Sequence, residues 1–170
     1  MEYVYKTYNG INHIGEINVK RKEENDFSNL TLNYDMITHM KEIEIIRDKQ
    51  LELICIKIII NSKNLNERYT IIKTEKNKYS ILESNDYIVK RGNLIILDEL
   101  KLLIPYFINE EVFSTYLDIN SLNIMPLRIF KKNNLQFNIL IPEFSYCEYN
   151  KDNLFLEYYE NYNSKIRIYK

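Results

Sequence analysis

The run from Leu51 to Ile60 constrains the fold more than any other segment of this chain. Its apolar residues, Leu51, Leu53, Cys55 and Ile58 to Ile60, are rich in β-branched side chains, which pack well on a pleated surface. The run predicts a central strand. Asn61 to Arg68 brings turn formers and charge, and the extended pattern resumes at Tyr69 to Thr74. Lys76, Asn77 and Lys78 then turn the chain into Tyr79 to Leu82, so an antiparallel meander is expected. Upstream, Leu30, Leu32 and Tyr34 alternate as one face of a strand should, and Tyr3, Tyr5, Ile14, Ile17 and Val19 suggest shorter extended pieces. With three glycines and three prolines in the chain, the turns fall to Asn, Asp and Ser.

After Gly92 the hydrophobic period changes. Ile96, Leu100, Leu103 and Phe107, flanked by Leu97, Ile104 and Ile108, recur at steps of three and four and predict a helical face. The helix is expected to run from Leu97 to Leu117, with a kink near Ile104 because Pro105 removes a backbone donor. Its apolar residues form more than one stripe, so surface should remain after packing and be covered by self-association or a partner, the alternative being that the segment from Leu135 to Lys170 folds back over it. From Leu135 strands return, with Phe137, Ile139 and Ile141 alternating, a turn at Asn150 to Asn153, then Leu154 to Tyr158 and Ile166 to Tyr169. The fold class expected is α+β: an antiparallel β-sheet packed against one main kinked helix, with extra C-terminal strands. A chain of 170 residues without internal repeat or linker reads as a single domain, 1–170.

Charge narrows the partners. Lys plus Arg number 23 and Asp plus Glu 24, a net charge of -1 that gives no general attraction to nucleic acid or anionic lipid. The absence of Ala and the abundance of Asn, Ile, Lys and Tyr point to an AT-rich coding bias rather than to function. Met1 to Tyr8 has no apolar signal core, and no stretch approaches the roughly 18 apolar residues of a membrane span. A cytoplasmic protein with reduced cysteines, Cys55 and Cys147, is expected.

Catalytic chemistry is hard to assemble from these residues. His13 and His39 share no metal-ligand spacing with the two cysteines. Asp35 lies four residues before His39 and could orient an imidazole, although a surface Asp and His on a half-polar strand are ordinary. The acidic pairs Glu23–Glu24, Glu110–Glu111 and Asp98–Glu99 could do acid and base work. Asp98 and Glu99 are better explained by a helix start, where negative charge meets the positive end of the helix dipole. Lys20, Arg21 and Lys22, like Lys131 and Lys132, read as solvated charge. No glycine-rich phosphate loop or nucleophile elbow is present. A non-enzymatic protein without cofactor or metal follows. Tyr146, Tyr149, Tyr158, Tyr159, Tyr162 and Tyr169 give the C-terminal segment an amphipathic aromatic character suited to protein contacts, with a share of them expected to face the core.

Leu103-Ile104-Pro105-Tyr106, followed after a helix-length interval by Leu122-Asn123-Ile124-Met125-Pro126 ahead of Phe130, resembles the SecB family of export chaperones. The resemblance covers about Leu30 to Phe130 and leaves 135–170 as a strand-rich extension. It implies a sheet backed by a main helix, a turn at the second motif leading to a short second helix, assembly as a homo-oligomer, and an apolar groove for unfolded clients. The protein-binding residues it implies are Ile104, Pro105, Tyr106, Leu122, Ile124, Pro126 and Phe130. Three departures, the balanced charge, the lack of a cysteine-bearing tail and the added strands, put binding to the translocation motor in doubt. The leading expectation is a SecB-like holdase active in protein transport or guarding one partner. The alternative is a phage or mobile-element inhibitor that blocks one specific protein.

Overall fold

The structure is a computed structural model, and it describes residues 1–82, 87–89, 94–107, 111–140, 144–151, 156–161 and 166–169. The side chains of 87, 89 and 103–107 lie outside that description. The described chain divides into two compact units: Met1–Val4 with Gly15–Leu94, and Tyr5–Ile14 with Ile95–Lys170.

The first unit is an antiparallel meander. Its strands are β2 (Asn12–Glu23), β3 (Phe27–Met36), β4 (His39–Asp48), β5 (Leu53–Ser62), β6 (Asn66–Glu75), β7 (Lys78–Ile81) and β8 (Tyr87–Val89), each paired with the next; β1 (Glu2–Asn9) precedes them. The expected strand at Leu51 to Ile60 is β5, and those at Tyr69 to Thr74 and Tyr79 to Leu82 correspond to β6 and β7. Ile43, Ile45, Ile56, Ile58 and Ile71 alternate with polar or half-buried neighbours and are fully buried on one face. Tight hairpins follow from local chemistry. Asp48 accepts through Oδ1 from the amides of Gln50 and Glu52, which lets Leu51 take a left-handed φ of 63°. Gly15 crosses so close to β3 that a Cβ there would lie 2.7 Å from the Met36 Cα.

The second unit pairs β1, β15 (Ile166–Tyr169), β14 (Leu156–Asn161), β13 (Phe144–Tyr149), β12 (Gln136–Leu140), β11 (Asn123–Lys131), β10 (Val112–Asp118) and β9 (Ile95–Ile96) in that order. All neighbours are antiparallel except the short β9–β10 pair. Its helix, α1, spans Leu97–Phe107 and packs against β10 and β14. Asp98 and Glu99 fall in its first turn, as the dipole argument requires. Phe137, Ile139, Cys147, Tyr149 and Leu156 fill the inner face.

The α+β expectation with one main kinked helix is overturned: the described residues are almost entirely antiparallel sheet with one short helix. The segment expected to extend the helix to Leu117 is strand β10. Its composition of Val, Phe, Thr and Tyr favours a pleated surface. The helical period misled because Tyr116 and Leu117 are both buried, which hides the strand alternation. The short second helix implied after Leu122 is likewise strand β11. The turn before it does form, held by Asp118, which accepts from the Asn120 amide and the Ser121 hydroxyl, while Leu122 adopts φ 57°.

The proline in α1 leaves a traceable mark. Pro105 has no amide hydrogen to give the Lys101 carbonyl four residues back. The Tyr149 hydroxyl donates to that carbonyl at 2.6 Å instead.

Candidate functional site: the outer aromatic face of the second unit

Side chains alternate across a strand, so the residues between the buried ones on β10 to β15 and β1 share the opposite, outward face. Strand register arranges them in three cross-strand rows. Phe113, Arg128, Leu140 and Phe144 form the first. Phe130, Asn138, Tyr146, Glu160, Arg167 and Tyr8 form the second. The third runs from Lys132, just past β11, through Gln136, Glu148, Tyr158 and Tyr169 to Lys6.

Rings touch along this face. Tyr146 and Tyr158 have centroids 6.0 Å apart, Tyr158 and Tyr169 5.2 Å, Tyr169 and Tyr8 5.5 Å, and Tyr8 and His13 5.3 Å. The result is a five-ring ladder crossing five strands. At the other end Arg128 places its guanidinium 4.1 Å from the Phe130 centroid and 4.5 Å from that of Phe113. Glu111 holds the same guanidinium through two hydrogen bonds of 2.8 and 2.6 Å. Phe113 is nonetheless 69% exposed.

The polar ends of the rings are fixed as well. Tyr146 donates to Glu148 at 3.1 Å and Tyr158 to Glu160 at 2.5 Å, each across two residues of its own strand. Arg167 donates to the other oxygen of Glu160 at 2.8 Å. Burial, then the Glu160 carboxylate, raises the Tyr158 hydroxyl above its ordinary pKa, so it stays a protonated donor. The rings are therefore positioned before any partner arrives, which lowers the ordering cost of binding.

The aromatic C-terminal segment divides between the two faces. Tyr149 and Tyr159 are buried inside, Tyr146, Tyr158 and Tyr169 lie outside, and Tyr162 is beyond the described residues. Of the residues singled out from the resemblance, Ile124, Pro126 and Phe130 share one face of β11, and Phe130 belongs to the aromatic surface. Leu122 sits in the β10–β11 turn. Ile104, Pro105 and Tyr106 are in α1, with side chains outside the description. Phe113, Arg128, Leu140, Phe144, Tyr8 and His13 were missed; the alternation of Phe144, Tyr146 and Glu148 was the available signal.

The other candidates have ordinary settings. His39 pairs through Nδ1 with the Thr38 hydroxyl at 2.9 Å rather than with Asp35, and burial, then the Lys41 charge, lowers its pKa. Lys20 is bound by Glu2 and Arg21 by Glu23. Burial pushes the Cys147 thiol up to about 12 and also raises that of Cys55. Among the described residues no three His, Cys, Asp or Glu side chains are grouped to hold a metal, and no helix is long and apolar enough to cross a membrane.

Comparison of the chain with protein-family models, curated proteins and solved structures finds no match.

Proposed function

We propose that this chain is a non-enzymatic protein-binding domain that grips a folded partner with the outer aromatic face of its second unit. The observation that carries the reading is the pre-positioned ladder Tyr146, Tyr158, Tyr169, Tyr8 and His13 together with the Phe113–Arg128–Phe130 stack. Tyr, Phe and Arg dominate the energetic centres of protein interfaces because they bury large area at small entropy cost. Successive rings are tilted by 51° to 84°, so they present edges and faces alternately rather than one flat platform. That geometry suits an irregular protein surface better than stacked bases. A groove for unfolded clients would need a long main helix and a second one, whereas α1 ends at Phe107 and the segments beyond it are strands β10 and β11.

The test is capture from the native cell extract with wild-type chain and with a Phe113→Ser/Tyr169→Ser variant, both side chains being exposed. A stoichiometric protein recovered by the wild type and lost by the variant supports the reading. Equal recovery by both rejects the face.

A further inference from the structure

The outer face has a property that an arbitrary protein surface would not need: it complements itself about β12. Lys132 and Glu148 stand in the same cross-strand row on opposite sides of that strand, joined through Gln136. Two strand spacings separate their backbone positions, about 10 Å, and the two side chains form no ion pair with each other within the chain. Among the described residues Lys132 meets the Tyr146 ring and Glu148 accepts from the Tyr146 hydroxyl, and neither has a partner of opposite charge.

A two-fold axis along β12 superposes β11 of one copy on β13 of the other while keeping every row in place. Lys132 then faces Glu148 of the second copy, and each pair occurs twice. In the next row Phe130 faces Tyr146 across the axis, with Asn138 meeting its own counterpart. In the first row Arg128, already stacked between two rings, faces Phe144, and Leu140 meets Leu140. Across β11 and β13 charge meets opposite charge and ring meets ring, while Leu140 meets its own counterpart; across β10 and β14 Glu111 comes opposite Glu160, each already bound by an arginine of its own copy.

We infer that the outer face of the second unit pairs with that of a second copy of this chain about an axis along β12. This rests on the proposed reading of the face as a protein-contact surface and names one occupant of it. The paired region spans β10 to β14, about 19 Å across the strands, which lies at the small end of specific interfaces and gives a reversible dimer. Tyr169, Tyr8 and His13 fall outside the paired strands and stay open to a different protein.

Sedimentation equilibrium of the full chain, from roughly 10 to 200 µM, tests the pairing. The wild type should show a monomer–dimer equilibrium. Lys132→Glu and Glu148→Lys should each weaken it about tenfold, because like charges then face each other twice. The double variant Lys132→Glu/Glu148→Lys should restore it. All four proteins should melt together, as both positions are at the surface. A strict monomer throughout the range, dimers indifferent to the single changes, or a charge swap that fails to restore pairing overturns the inference. A monomeric wild type that still loses its captured partner on Phe113→Ser/Tyr169→Ser would overturn the dimer and leave the face reading intact.

Discussion

Replacing Tyr149 by Phe removes one hydroxyl and no packing, and with it the contact that offsets a proline inside a helix. The ring, 2% exposed and set edge-to-face on Phe137 at 5.7 Å, stays where it is. What disappears is the 2.6 Å hydrogen bond to the Lys101 carbonyl, whose usual helical donor is absent because residue 105 is proline, together with the hydrogen bond to the Cys147 thiol. Withdrawing a donor from a part-buried carbonyl costs up to about 1–3 kcal/mol, against a net gain nearer 1 kcal/mol for an ordinary bond. A loss of about 2 kcal/mol lowers Tm by roughly 4–8 °C in a chain of this size. Urea and thermal unfolding of Tyr149→Phe read it directly. Tyr146→Phe is the control: its hydroxyl reaches a partly exposed carboxylate and should cost about 0.5 kcal/mol or less. Pro105→Ala restores an amide donor to the Lys101 carbonyl, so in that background Tyr149→Phe should lose less than about 1 kcal/mol. Equal losses in both backgrounds, or a Tyr149→Phe protein as stable as wild type, would refute the reasoning.

Gly15→Ala should unfold the first unit or cost more than about 3 kcal/mol, because the residue sits at φ 151° and its Cβ would strike the Asp35 carbonyl and the Met36 Cα; chemical denaturation checks this. Thiol labelling should reach half-buried Cys55 in the folded chain but Cys147 only on unfolding, since burial holds the latter as a thiol; labelling of Cys147 at the rate of an exposed cysteine would contradict its placement. Glu44 is held below its ordinary pKa of 4.5 chiefly by the Lys57 hydrogen bond, then by Asn29. A depressed folded pKa contributes stability above the unfolded value that is lost as pH falls through the folded one. The stability gap between wild type and Glu44→Gln should therefore be present at neutral pH and close below about pH 4.5, as acid titration of the unfolding free energy would show.

The first half of the fold was legible because its strands are buried on one face only. Leu30, Leu32 and Tyr34 carry the two-residue period that sheet pleating demands, and Leu53 to Ile60 stands out by its β-branched run, although its buried positions Leu53, Ile56 and Ile58 change phase opposite the bulge at Ile46 and Arg47. The second half was harder to read where burial occurs on both faces or where propensities conflict. Val112–Asp118 buries consecutive residues and so imitates a helical stripe, and in Asn123–Lys131 the alternation of buried Leu127 and Ile129 is short and interrupted by Pro126. The candidate face was half visible. Tyr146, Tyr158 and Tyr169 stood out in the chain, but their company with Phe113, Arg128 and Tyr8 depends on register across strands far apart in sequence. No local pattern encodes that register.

The central claim is that the outer aromatic face of the second unit is where proteins bind. Side-chain footprinting of the captured complex against the free chain tests it most directly. Protection should appear at Phe113, Phe130, Tyr146, Tyr158 and Tyr169, while Ile37 and Met40, exposed by 77% and 59% at a hairpin of the first unit, keep their reactivity. Protection of Ile37 and Met40 with the five aromatic side chains unchanged would contradict the account.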